Sequence, residues 1–202
     1  LIGVVGLTNQ TYITEIDLGP MGTNPEYMAI KNNELFTLNN RDYSNASVSS
    51  VDLGSGTPTT YDLSITSGCG TSLLAANDVY YQPSSDVSLR QFSTTTYSTV
   101  GSLAINQSLY GLGYDEINNL IYAGVTDYTT TGKVFIYDLT GAALDSFDVS
   151  VSPGNIAFDV REASSVNEIS ASGVNVYPNP ATDKIYISAK AVSGIHYSIT
   201  DV

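Results

Sequence analysis

The side chains able to do chemistry are few and scattered. The 202-residue chain has one histidine, His196, which stands near its C-terminal end. A Ser-His-Asp triad or a His-built metal site in the preceding repeats is therefore excluded. The one cysteine, Cys69, forbids a disulfide within the chain. It opens the apolar run Cys69-Gly70-Thr71-Ser72-Leu73-Leu74-Ala75, which suits a buried small side chain rather than a nucleophile. Asp115 and Glu116 are adjacent carboxylates, but neighbours on a strand point to opposite faces, and Tyr114 to Asn119 reads as an inter-strand loop. Two-carboxylate glycoside hydrolysis is not expected there. Asp17, Asp52 and Asp138 each precede a Gly-containing turn, where a carboxylate accepts the backbone N–H groups that follow. No Asp-x-Asp-x-Asp-Gly calcium loop, Gly-x-Ser-x-Gly elbow or phosphate loop is present. The sequence implies no cofactor and no metal, and the expectation is a protein that is not an enzyme. Tyr80, Tyr81, Tyr110, Tyr114, Tyr122 and Tyr128 remain as rings that stack on sugars or fill the core.

Charge narrows the partners. The chain carries 7 basic and 20 acidic residues, a formal net charge of −13. Residues 173–202 hold Asp183 and Asp201 against Lys184 and Lys190, so the whole excess lies in residues 1–172. Such a field repels nucleic acid and anionic membranes and suits solubility, cations or a neutral ligand such as a glycan. No run of apolar residues is long enough to span a membrane. The opening Leu1-Ile2-Gly3-Val4-Val5-Gly6-Leu7 lacks a basic flank and reads as an internal point of a longer precursor.

The elements that must position these residues are strands. Thr, Ser, Val, Ile and Tyr dominate, with Gly, Asn and Asp at the turns, and no window holds a helical apolar period. Three signals recur. An extended segment follows Pro or Gly (Asn24 to Ile30, Gly70 to Ala75, Ser108 to Tyr114, Ser152 to Phe158). A strand follows an Asn turn (Asn33 to Leu38, Asn77 to Tyr81, Asn119 to Ala123). A third strand ends in a polar turn (Val48 to Gly54, Val87 to Ser93, Val134 to Gly141). A fourth strand follows each. Phe36 to Tyr80 is 44 residues, Tyr80 to Tyr122 is 42, and Asp52 to Asp138 is 86. Four short strands every ~40–45 residues is the period of a propeller blade. A sheet of that size cannot bury its faces alone, so blades stack face to face.

The expected fold is all-β, with four-stranded β-propeller blades in an incomplete ring. Residues 1–160 form the repeat region, with units at 8–22 (partial), 23–66, 67–106, 107–151 and 152–160 (partial, one first strand). The missing remainder is either N-terminal blades outside this chain or another chain. A β-sandwich is the competing architecture, since its turns have similar spacing. Lys133-Val134-Phe135-Ile136-Tyr137-Asp138-Leu139-Thr140-Gly141 and Ser47 to Gly54 make the repeats resemble the YVTN/YncE-like bacterial surface propellers. Leu89-Arg90-Gln91-Phe92-Ser93 departs from that pattern by lacking the turn Asp.

Residues 161–172 read as a small, polar linker. Val174-Asn175-Val176-Tyr177-Pro178-Asn179-Pro180-Ala181-Thr182-Asp183-Lys184-Ile185-Tyr186-Ile187-Ser188 follows, and His196 to Val202 continues it. Residues 173–202 closely resemble the opening of the type A C-terminal sorting domain of the type IX secretion system, a partial Ig-like β-sandwich. The resemblance implies export by the type IX outer-membrane translocon and its sortase machinery. It makes Tyr177, Pro178, Asn179, Pro180, Ala181 and Thr182 the sorting-signal residues. Together these readings give a secreted or cell-surface bacterial protein, a non-catalytic binding or adhesion propeller for a glycan or surface protein. The alternatives are an enzyme with its catalytic residues in missing N-terminal blades, or a passive surface spacer.

Overall fold

Every strand pairs antiparallel with its neighbour in sequence. A computed structural model of the chain describes residues 1–84, 86–159, 174–177, 183–184 and 186–189. Strands β1 (Ile2–Gly6) and β2 (Thr11–Ile16) form a two-stranded sheet. The first four-stranded sheet is β3 (Pro25–Lys31), β4 (Glu34–Asn39), β5 (Ser47–Asp52) and β6 (Pro58–Asp62). The second is β7 (Ser67–Ala75), β8 (Asp78–Pro83), β9 (Leu89–Ser93) and β10 (Ser98–Leu103). The third is β11 (Gly111–Asp115), β12 (Leu120–Val125), β13 (Gly132–Asp138) and β14 (Ala143–Val149). These are the up-and-down, four-stranded sheets of propeller blades.

Turn chemistry sets the meander. Lys31 pairs with Glu34 across Asn32 and Asn33, whose φ values of 49° and 64° make the two-residue turn that matches strand twist. Asn119, at φ 55°, closes β11 to β12. The turn aspartates act as expected. Asp17 Oδ1 accepts Gly19 N–H at 2.9 Å, Asp52 Oδ1 accepts Ser55 N–H at 2.6 Å, and Asp138 Oδ1 accepts Thr140 N–H at 2.8 Å.

The core lies between sheets. β4 and β5 are buried on both faces, so they show no polar alternation. Phe36, Leu38 and Val48 of the first blade meet Val79, Tyr81 and Phe92 of the second. Leu73, Ala75, Tyr80 and Leu89 of the second meet Ile121, Ala123 and Tyr137 of the third. Ile2 and Leu18 pack on Leu35 and Val51 at the opposite face of the first blade. Each such aliphatic or aromatic side chain gains about 1.5–3 kcal/mol from leaving water. Stacked cores on both faces of one sheet replace the single core of a two-layer sandwich. Leu73 and Leu112 occupy β7 and β11, the equivalent first strands of their blades.

Residues 8–22 hold one strand, β2, which pairs with β1 from the opening residues. One expectation is corrected. Residues 152–160 were expected to be a first strand, but 151–159 carry no strand. Pro153 has no N–H to give a ladder, and the segment crosses the face of the third blade instead of extending its edge.

The chain divides into two compact units, Leu1–Phe158 and Asp159–Val202. In the second, β15 (Val174–Tyr177) pairs with β16 (Tyr186–Ala189). Among the described residues this two-stranded sheet is all that bears on the expected partial Ig-like sandwich. The expected linker, and the third strand expected at Tyr197 to Ile199, lie outside the described residues.

Candidate functional site

Where the second and third blades meet, their loops leave a cleft of about 310 Å³. That is at the lower end of small-ligand pockets, roughly 300–1,000 Å³. The second blade contributes Thr71 of β7, Gln82 and Pro83 at the end of β8, and Ser84 and Asp86 just beyond it. Ser108, Leu109 and Tyr110 come from the β10–β11 connection, and Tyr128 from the loop after β12.

Its floor is fixed by Gln82, which is buried. Gln82 Nε2 donates to the Gln107 carbonyl at 2.8 Å, and Gln82 Oε1 accepts Leu109 N–H at 2.7 Å. One amide thus pins the inter-blade connection to the second blade. Tyr110 N–H donates to the Gly124 carbonyl at 2.8 Å, which fixes the next residue to the third blade.

The aromatic wall is Tyr110 and Tyr128, edge to face with centroids 5.3 Å apart. Tyr110 is 37% exposed and Tyr128 67%. Tyr128 stands at φ 65°, a left-handed conformation that costs a residue with a Cβ roughly 1–2 kcal/mol. The loop holds it there. Tyr128 N–H donates to Thr126 Oγ1 at 2.8 Å, and Asp127 Oδ1 accepts the N–H groups of Thr129 and Thr130 at 2.9 and 2.7 Å. The Thr130 hydroxyl and these N–H groups hold the Asp127 carboxyl well below the usual range.

Asp86 is the charged residue of the lining, and its charge is already answered. Ser88 Oγ donates to Oδ2 at 2.6 Å, Ser88 N–H to Oδ1 at 3.0 Å, and Arg90 Nη2 lies 3.2 Å from Oδ2. The Ser88 hydroxyl first, then its N–H, and then Arg90 hold the carboxyl at about 2. The cleft therefore offers hydroxyls, an amide, backbone groups and two aromatic rings, with no uncompensated charge. Such groups can hydrogen-bond to and stack on a neutral, polyhydroxylated molecule.

A second cleft of about 360 Å³ touches all three blades through Ile30, Lys31, Leu74, Ala76, Tyr114, Glu116 and Ile117. It mixes the apolar Ile30, Leu74, Ala76 and Ile117 with Lys31, Tyr114 and Glu116. Glu116 lines it, while Asp115 accepts Ile117 and Asn118 N–H as a turn residue. The two carboxylates converge on nothing. Among the described residues no group of three His, Cys, Asp or Glu is placed to hold a metal, and no helix is long and apolar enough to cross a membrane.

The ring residues singled out from sequence part company. Tyr80 and Tyr81 are buried core, and Tyr114 and Tyr122 are partly covered. Only Tyr110 and Tyr128 come together at the first cleft. Gln82, Ser84, Asp86 and Ser108 carried no sequence signal, because the cleft draws on separate loops with no local motif. Of the sorting-signal residues, Tyr177 ends β15, while Pro178, Asn179, Pro180, Ala181 and Thr182 lie outside the described residues.

The fold defines a propeller-type, all-β chain. Among solved structures it is similar to Kuenenia stuttgartiensis hydrazine synthase (TM-score 0.58, 14% identity, 73% of this chain and 43% of that one). It is also similar to the dihydro-haem d1 dehydrogenase NirN in complex with DHE (TM-score 0.52, 13% identity, 73% and 33%). A Bacteroides thetaiotaomicron structural-genomics protein of unknown function matches at TM-score 0.42 and 14% identity over 69% of this chain and 38% of that one. The chain thus spans less than half the length of these structures. No family model matches the sequence, and no curated protein matches it.

These neighbours correct the expectation of a protein that is not an enzyme. Hydrazine synthase and NirN are enzymes built on the same architecture, so stacked blades give no ground for ruling out catalysis. At 13–14% identity the likeness shows the fold alone.

Proposed function

We propose that this chain is part of an exported bacterial surface propeller that binds a neutral saccharide in the cleft between its second and third blades. The observation that carries the reading is the Tyr110–Tyr128 wall beside a carboxylate already neutralised by Ser88 and Arg90. Tyrosine offers an apolar ring face for sugar C–H groups and a hydroxyl at its edge. The acidic chain discourages anions, and Asp86 has no unanswered charge for a cation. Export rests on the sorting-domain resemblance at Tyr177 to Thr182, which assigns delivery to the type IX translocon and its sortase.

Binding of the purified chain to an array of neutral glycans tests the cleft. A hit that Tyr128→Ala abolishes while the fold is retained supports it. A hit that survives both Tyr110→Ala and Tyr128→Ala moves the ligand elsewhere. Export is tested in a host with a type IX system, by replacing Tyr177 to Thr182 with Gly-Ser repeats. Surface display must then be lost, with the protein retained inside the outer membrane.

A further inference from the structure

We infer that Ser152 to Phe158 is a strap whose seating regulates the saccharide cleft, an inference that rests on the cleft reading above. The third blade turns a glycine-floored trough toward this segment. Gly111 and Gly113 of β11, Gly124 of β12 and Gly132 of β13 share one face of the sheet. A Cβ at Gly111 or Gly124 would overlap the carbonyls of Gly154 or Pro153. A Cβ at Gly132 would lie 2.7 Å from Pro153 Cδ, and one at Gly113 2.7 Å from Ile156 Cβ. Four side chains are absent where the strap needs to reach the sheet backbone. Phe158 anchors the far end against Tyr122, edge to face at 5.1 Å.

The near end of the strap lies behind Tyr110, one of the residues that line the cleft. A Cβ at Gly154 would lie 3.1 Å from Tyr110 Cε1, so the Tyr110 ring rests directly on the strap backbone. Ser152 Oγ lies 3.4 Å from Thr126 Oγ1, the same oxygen that accepts Tyr128 N–H. The strap therefore backs the Tyr110 ring directly and reaches the Tyr128 backbone through the Thr126 hydroxyl. A strap lifted from its trough releases Tyr110 from one side and frees the turn that holds Tyr128 at positive φ. The strap follows in sequence every strand that lines the cleft. It leads at Asp159 into the second unit, so a pull on that unit acts first on the strap.

The consequence is quantitative. If only the seated form binds, apparent Kd rises as the inverse of the seated fraction, so one chain in ten seated means about tenfold weaker binding. The experiment uses the full chain with fluorotyrosine, read by fluorine NMR, titrated with lactose, maltose and cellobiose. Ile156→Asp lifts the strap, Phe158→Ala removes only its anchor, and Val151→Ser at an exposed site is the control. Hydrogen exchange across residues 152–158 reports whether the strap has left. Both strap variants must shift the Tyr110 and Tyr128 signals, leave that of Tyr61 in place, and weaken saccharide binding tenfold or more. A strap released without movement of Tyr110 or Tyr128 overturns the inference, as does unchanged affinity. If no disaccharide binds the unaltered chain while the two signals still move with the strap, the coupling stands and the saccharide reading falls.

Discussion

The Tyr97 hydroxyl donates to Glu34 Oε2 at 2.8 Å, bridging 63 residues of sequence and joining the second blade to the first. Nearby, the Tyr27 hydroxyl accepts Leu74 N–H at 2.5 Å, which ties β3 to β7. The blades are held by such phenols as well as by apolar packing. Glu34 raises the Tyr97 pKa above its ordinary value, and burial raises those of Tyr27, Tyr80 and Tyr81. A raised value in the folded chain gives stability that is present below the ordinary 10.0 and lost as pH climbs through the raised values. Urea unfolding is expected to show constant stability to about pH 9 and a steady loss above 10.0. Tyr97→Phe should lower stability by about 0.5–1.5 kcal/mol at neutral pH, the net worth of one hydrogen bond.

Leu89 is fully buried between the second and third blades. Leu89→Ala should cost about 2–5 kcal/mol, the range for an aliphatic deletion that leaves a cavity. Leu144→Ala on the exposed outer strand β14 should stay within about 0.5 kcal/mol. Paired urea titrations check both. Equal losses would mean that the inter-blade layer is not the core.

Asn39 lies buried on the first blade, where its amide donates to Ser47 Oγ at 3.0 Å and Ser49 Oγ at 2.9 Å. Thr37 Oγ1 donates to its carbonyl oxygen at 2.9 Å. Asn39→Ala takes the acceptor from the buried Thr37 hydroxyl, at about 1–3 kcal/mol, while the Ser47 hydroxyl keeps the Met21 carbonyl and the Ser49 hydroxyl keeps Thr60 Oγ1. Thermal unfolding should show a larger drop for Asn39→Ala than for Thr60→Ala, which removes a half-exposed hydroxyl.

The Asp86 carboxyl titrates near 2, below the ordinary 3.8, because Ser88 and Arg90 favour its ionised form. A depressed value gives stability present above the ordinary pKa and lost as pH falls through the folded one. Saccharide affinity is therefore expected to be flat from about pH 8 to about pH 4 and to weaken only toward 2. Asp86→Asn should flatten the acid limb. Isothermal titration over this range reads the difference.

Much of the fold was legible because each blade repeats the same local chemistry. Asn33 and Asn119 adopt the left-handed turn their residue type permits, and the 43-residue spacing of Phe36, Tyr80 and Tyr122 places each on a second strand. Ile156 misleads for a physical reason. Its alternating, Pro-led surroundings look like a first strand, but glycine-for-side-chain gaps on the sheet just before it let the segment lie flat across that sheet. β1 went unread because Ile2 to Gly6 gains its meaning only from pairing with β2. The cleft was legible only as two tyrosines in a longer series. Gln82 and Asp86 enter it through inter-blade stacking, which no single stretch of sequence encodes.

Chemical-shift mapping of the isotope-labelled chain with cellobiose, lactose and maltose tests the central claim most directly. The account predicts saturable shifts at Ser84, Asp86, Ser108, Tyr110 and Tyr128. Shifts confined to Ile30, Ala76 and Ile117, or none at any sugar concentration, would contradict it.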